Sequence, residues 1–106
     1  MKFRNPYWTP KTKLQMLERW IIVHSIIYYV YDTNIVPDSM FDNNCNQLVK
    51  GVAKYPEDFK QTKYFYCFEG FDGSTGFHLY NSLNTADKLY LEQQAQYIAK
   101  KYGGWK

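Results

Sequence analysis

The stretch Y-Y-V-Y-D-T-N-I-V-P-D-S-M-F-D, residues 28–42, sets three tyrosines and a phenylalanine among three aspartates. Tyr28, Tyr31 and Asp32 are spaced i, i+3, i+4, which places them on one face of a helix. Asp38, Phe41 and Asp42 repeat that spacing. Flat rings stack on heterocycles, and carboxylates accept hydrogen bonds from sugar hydroxyls or an amide. One reading is therefore a pocket that stacks a heterocycle and holds its sugar. The other is a helical hairpin with an aromatic core, in which Asp38 caps the second helix and Asp42 is a solvated first-turn acid.

Other residues with chemistry to offer form weaker patterns. His24 lies mid-helix among bulky apolar residues, as a core histidine or as a ligand contact. Ser74, Thr75 and His78 do not make a hydrolytic triad, because no acid with an orienting role can be named. Cys45 and Cys67 share no metal-ligand spacing and read as reduced core thiols. The loop E-G-F-D-G-S-T-G, residues 69–76, reads as a turn in which glycines permit positive φ, or as backbone N–H groups that cradle a phosphate. Among the cations, Arg19 is the first choice to neutralise a nucleotide phosphate, for its forked donors; the alternative is a solvated helix face. No metal site is expected.

The elements that must position these residues follow from periodicity. Residues 1–8 read as an N-terminal arm. Thr9-Pro10 is an N-cap followed by proline at the first helical position. A helix should run from there to about Asp32, with Leu14, Leu17, Ile21, His24, Tyr28 and Tyr31 on one face. A second helix should follow from about Asp38 to Lys54, striped by Phe41, Cys45, Leu48 and Val52, and stopped by Tyr55-Pro56. Together, residues 9–56 make a helical hairpin. K-Y-F-Y-C-F and F-H-L-Y read as strand material around the glycine loop, which predicts a β-hairpin over 60–83. Asn84-Thr85 opens a last helix over 84–103, with Leu91, Ala95, Ile98 and Tyr102 as its stripe and Gly103-Gly104 as its end. The expected fold is α+β, in a single domain.

At 106 residues the chain is long enough for one hydrophobic core. Aromatic residues make up 20%, with 11 Tyr, which suits a core that opens onto a binding surface. A net charge of +3 is too small for a dedicated duplex-DNA binder, so nucleic acid is not the expected partner. The first ten residues lack the apolar run of a secretory signal, and W-I-I-V-H-S-I-I-Y-Y-V-Y is too short and polar to span a bilayer. A cytoplasmic protein without a membrane partner is the expectation.

Between Leu14 and Pro56 the chain resembles the N-terminal nicotinamide-nucleotide-binding (Ia) domain of NAD-dependent DNA ligases. The paired aromatics at 28–29, the aspartates at 32, 38 and 42, and the Lys54-Tyr55-Pro56 that follows match that domain's helical hairpin without a gap. His24 also stands where many of those ligases have histidine. The resemblance implies that Tyr28 and Tyr29 lie against a nicotinamide ring and that Asp38 and Asp42 hold polar groups of the nucleotide. Phe41 departs from the family's tyrosine and removes a hydroxyl contact.

Ligase chemistry itself is not expected. Adenylation needs a nucleophilic lysine in a Lys-x-Asp-Gly motif on a larger domain, and the nearest string here, Gly70-Phe71-Asp72-Gly73, has glycine in its place. The resemblance thus implies a stand-alone, non-catalytic protein that binds nicotinamide mononucleotide, NAD or an NAD-derived or cyclic nucleotide, and requires no cofactor. Small proteins of this kind resemble products of phage or mobile-element genomes, where sequestering a host-defence nucleotide signal would be a purpose. A homo-oligomer fits the aromatic-rich surface. The alternative is an interaction module that keeps the scaffold, has lost the ligand, and acts on a ligase or a defence factor.

Overall fold

The computed structural model describes residues 9–33, 35–73 and 78–102. The arm expected over 1–8, the tip of the glycine loop and the Gly103-Gly104 stop lie outside them. Among the described residues six helices follow in order: α1 (Pro10–Ser25), α2 (Asp38–Lys54), α3 (Pro56–Phe59), α4 (Phe65–Phe68), α5 (Leu79–Ser82) and α6 (Thr85–Tyr102). A π-helical turn, Ile26–Val30, extends α1.

α1 is the central element and packs against α2, α3, α5 and α6. Its start is as the sequence predicts: the Thr9 side chain accepts from the Thr12 N–H at 3.2 Å, with Pro10 in the first turn. Residues 21–27 are all buried, because neighbours cover this part of the helix on every side. The core joins Leu14, Ile21, Ile22, Ile26 and Ile27 to Cys45 and Leu48 of α2, Phe68 of α4, Leu79 of α5, and Leu91, Ala95 and Ala99 of α6. Both cysteines are free and buried, as expected of core thiols. At the closed end of the hairpin, a Cβ placed on Gly51 would meet Leu14 Cδ2 at 2.7 Å, so glycine permits the close approach of α2 to α1.

The π turn decides how α1 ends. The Tyr31 N–H reaches back five residues to the Ile26 carbonyl at 3.1 Å. The Thr33 N–H then closes on the Ile27 carbonyl at 3.0 Å across Asp32, which sits at φ 53°. This is a left-handed C-terminal closure widened by one residue. The change of register coincides with a change of exposure: Ile27 is buried, while Tyr28, Tyr29 and Val30 stand out.

The β-hairpin expected over 60–83 does not form, and the fold is all-helical among the described residues. The burial pattern gives the reason. On a strand, Tyr64, Tyr66 and Phe68 would share a face; instead Tyr64, Cys67 and Phe68 are buried while Tyr66 is exposed, which is helical spacing. A lone two-stranded hairpin is marginal, and the β-preference of aromatic residues depends on a sheet to pack in. Here the aromatic run turns Tyr64, Cys67 and Phe68 together into the common core. Leu79 likewise enters the core from the short α5, and His78 is an exposed turn residue before it. The turn chemistry survives the correction: Gly70 and Gly73 adopt φ of 79° and 85°.

Polar contacts fix the remaining pieces. Thr62 Oγ1 donates to Glu18 Oε2 at 2.8 Å, and the Lys63 N–H donates to Gln15 Oε1 at 3.0 Å, tying the turn after α3 to α1. Tyr66 Oη donates to Asp87 Oδ2 at 2.5 Å and accepts the Asn84 N–H at 3.2 Å. Asn84 Oδ1 in turn accepts the Asp87 N–H at 2.8 Å, so Asn84 caps α6 as its sequence position predicts.

Candidate functional site

The open end of the α1–α2 hairpin holds a cavity of about 220 Å³. Its walls are His24 and Ile27 from α1 and its extension, Tyr28 and Tyr29 from the π turn, Thr33, Ile35 and Val36 from the linker, and Asp38, Phe41 and Asp42 from the first turns of α2. Six of the seven residues expected at a ligand site are therefore brought together: His24, Tyr28, Tyr29, Asp38, Phe41 and Asp42.

Arg19, the seventh, is not among them. It lines a separate cavity with Thr12, Gln15, Met16, Lys63, Tyr64 and Tyr90, and donates to Gln94 Oε1 at 3.3 Å. It lies five positions before His24, an offset that turns it well away from His24 on an α-helix.

The Tyr28 and Tyr29 rings meet edge to face, with centroids 4.8 Å apart and planes at 85°. Such a pair offers an incoming flat ring one face and one edge rather than two parallel plates. Asp38 opens α2 but does not cap it: Pro37 holds the cap position, and no side-chain capping bond is made. Its carboxylate is exposed, as is that of Asp42 one turn on. Both stand near the positive end of the α2 dipole.

His24 contributes in a different way. It is 7% exposed, and its Nδ1 has no hydrogen-bond partner. Burial lowers its pKa from 6.5 to about 4, so the ring is neutral at neutral pH. Trp20 lies against it, with ring centroids 4.2 Å apart, and also reaches Phe41 at 6.0 Å. One indole thus sets the position of a lining residue from each helix.

Sequence reasoning missed Trp20 as the positioner, and Ile27, Thr33, Ile35 and Val36 as walls. In the linker T-N-I-V the apolar pair Ile35-Val36 is the signal that could have marked these walls. No capping or helix-breaking residue marks the π turn in I-I-Y-Y-V.

The arrangement can stack a ring, accept hydrogen bonds at two carboxylates, and meet one buried polar group. At about 220 Å³ the space falls below the roughly 300–1,000 Å³ of drug-sized pockets, which suits one ring-and-sugar unit rather than a whole dinucleotide. Compared with protein-family models, curated proteins and solved structures, the chain matches none.

Proposed function

We propose that this chain is a non-catalytic nucleotide-binding protein whose hairpin cavity takes nicotinamide mononucleotide, or the nicotinamide end of NAD or of an NAD-derived nucleotide. The observation that carries the reading is the convergence of Tyr28, Tyr29, Asp38, Phe41, Asp42 and His24 on one cavity from two helices and a π turn. Rings supply stacking, carboxylates accept from ribose hydroxyls, and the buried imidazole offers one more polar contact. Gly70 supports the non-catalytic part of this reading, because it has no amine to form a covalent nucleotide adduct at the place where ligase chemistry needs a lysine. In that role the protein would sequester a nucleotide signal unchanged, as a phage product acting on host defence would.

Calorimetric titration of the full chain with nicotinamide mononucleotide, NAD, ADP-ribose and cyclic nucleotides tests this. Binding of a nicotinamide nucleotide, lost in Tyr29→Ala and in Asp38→Ala, is the expected result. Silence across the panel from a folded sample would overturn it.

A second reading, a protein-interaction module, draws on α6. Leu89, Tyr97 and Tyr102 are 59%, 62% and 69% exposed there, and tyrosine is enriched at interface hot spots. Capture of one stoichiometric partner, lost in Tyr97→Ala and kept in Asp38→Ala, would favour it. Sedimentation would show whether that partner is a second copy.

A further inference from the structure

The second cavity, of about 190 Å³, lies where the early turns of α1, the turn after α3 and α6 meet. Two cations line it, Arg19 from α1 and Lys63 from the turn, and no carboxylate does. All ten acidic side chains of the chain lie among the described residues, so the other residues hold none that could supply the missing negative charge. Glu18, next to Arg19 in sequence, is buried and bonded to Thr62 instead. Among the described residues the one ion pair is Lys60 with Glu57.

Both cations are held by contacts that keep their charge available. Arg19 Nη1 donates to Gln94 Oε1 at 3.3 Å, which fixes the guanidinium and takes up one of its several N–H donors. The Lys63 ammonium lies over the Tyr64 and Tyr90 rings, 5.7 and 5.5 Å from their centroids. Gln15 Oε1 accepts the Lys63 N–H at 3.0 Å, so the NH2 end is what its side chain has left to give. Guanidinium, ammonium and amide thus all offer donors to whatever enters. Two like charges lining one small cavity repel, and a bound anion removes that cost.

We infer that this cavity is a site for a small phosphomonoester, whose phosphate meets Arg19 and Lys63 and whose organic part lies against Tyr90 and Met16. A phosphate sets two oxygens against a forked guanidinium and keeps a third for the ammonium. Its charge of about −1.5 to −2 at neutral pH matches two cations, whereas a carboxylate leaves one of them unmatched. Met16 and Tyr90 are 48% and 46% exposed, and they put apolar surface beside the cations for an organic group to cover. The site is separate from the hairpin cavity, and it stands whether or not that cavity takes a nicotinamide.

Calorimetry on the full chain at fixed, low ionic strength tests this with phenyl phosphate, inorganic phosphate, benzoate, nicotinamide riboside and an unphosphorylated single-stranded oligonucleotide. Phenyl phosphate should saturate one site, bind tighter than inorganic phosphate, and exceed benzoate by about tenfold or more. Arg19→Gln and Lys63→Gln should each weaken it by about tenfold or more, with the melting temperature kept because both side chains are exposed. Arg19→Lys, which keeps the charge and loses the fork, should fall in between. Ester binding that survives both Gln variants would overturn the site, and so would displacement of the ester by nicotinamide riboside, which would put it in the hairpin cavity. Benzoate as tight as the ester would overturn the phosphate assignment, and inorganic phosphate as tight would overturn the part given to Tyr90 and Met16. An oligonucleotide that binds and is lost in the same variants would replace the small ligand by a strand. No binding by any probe would overturn the proposal outright.

Discussion

Trp20 and His24 lie one helical turn apart on α1 with ring centroids 4.2 Å apart and planes tilted by 37°. The indole, half-buried, covers an imidazole whose Nδ1 is otherwise unpartnered, and it touches Phe41 across the hairpin. A single side chain therefore couples the shape of the cavity to the packing of α1 on α2.

Trp20→Ala should lower stability by about 2–3 kcal/mol. That is less than the roughly 3–5 kcal/mol of a fully buried tryptophan, because Trp20 is only partly covered. It should also weaken nicotinamide-nucleotide binding by freeing His24 and Phe41. Urea denaturation and calorimetry read the two effects separately. Trp20→Phe should keep most of both, and a Trp20→Ala protein with unchanged stability would remove the coupling.

Asp38→Ala should weaken ligand binding by about 1.5–3 kcal/mol, the range of a hydrogen bond to a charged group. Its melting temperature should stay close to that of the parent, because Asp38 is exposed and makes no capping bond. A large drop in melting temperature with ligand affinity intact would return Asp38 to a purely structural part at the start of α2.

Two buried groups set opposing pH dependences. Burial raises the Glu18 pKa from 4.5 to about 7, so the folded state keeps a proton that the unfolded chain has released between those values. Raising pH through that window costs stability. For His24 the folded pKa falls from 6.5 to about 4, so the unfolded chain binds the extra proton, and lowering pH costs stability over that range. Each full shift corresponds to about 3 kcal/mol, and the two largely cancel between about pH 4.5 and 6.5.

Glu18→Gln should expose the histidine slope, with stability falling on acidification below pH 6.5. His24→Gln should expose the carboxyl slope, with stability falling as pH rises from 4.5 to 7. Urea midpoints across that range check it, and parallel slopes for the two variants would sink the assignment.

Asp32→Gly should be neutral or stabilising by up to about 1 kcal/mol, since Asp32 holds φ 53° at the left-handed closure of the π turn and glycine adopts that conformation without strain. Asp32→Val should cost about 1–2 kcal/mol, because a β-branched side chain is strained there. Thermal unfolding of the two variants distinguishes them. Equal melting temperatures would mean that the closure carries no strain.

The helical hairpin was legible because its signals are local. Thr9-Pro10 starts α1, Pro37 and Tyr55-Pro56 bracket α2, and Asn84 caps α6, each by hydrogen-bonding and torsional preferences that act within a few residues. The β-hairpin was not legible as a helix because K-Y-F-Y-C-F is short. Over six residues an apolar run fits either period, and burial in the common core decided for helical turns.

By itself, then, the sequence determined the two long hairpin helices, the last helix and the positive-φ glycines, because caps, apolar spacing along a helix and turn chemistry act within a few residues. The tertiary structure decided the rest. It turned the aromatic middle into short helices that send Cys67, Phe68 and Leu79 into the common core. It sent Arg19 to a different cavity from Asp38, and it inserted the π turn that carries Tyr28 and Tyr29 in the cavity wall. Each of these depends on contacts between residues distant in the chain, whose energies no local pattern records.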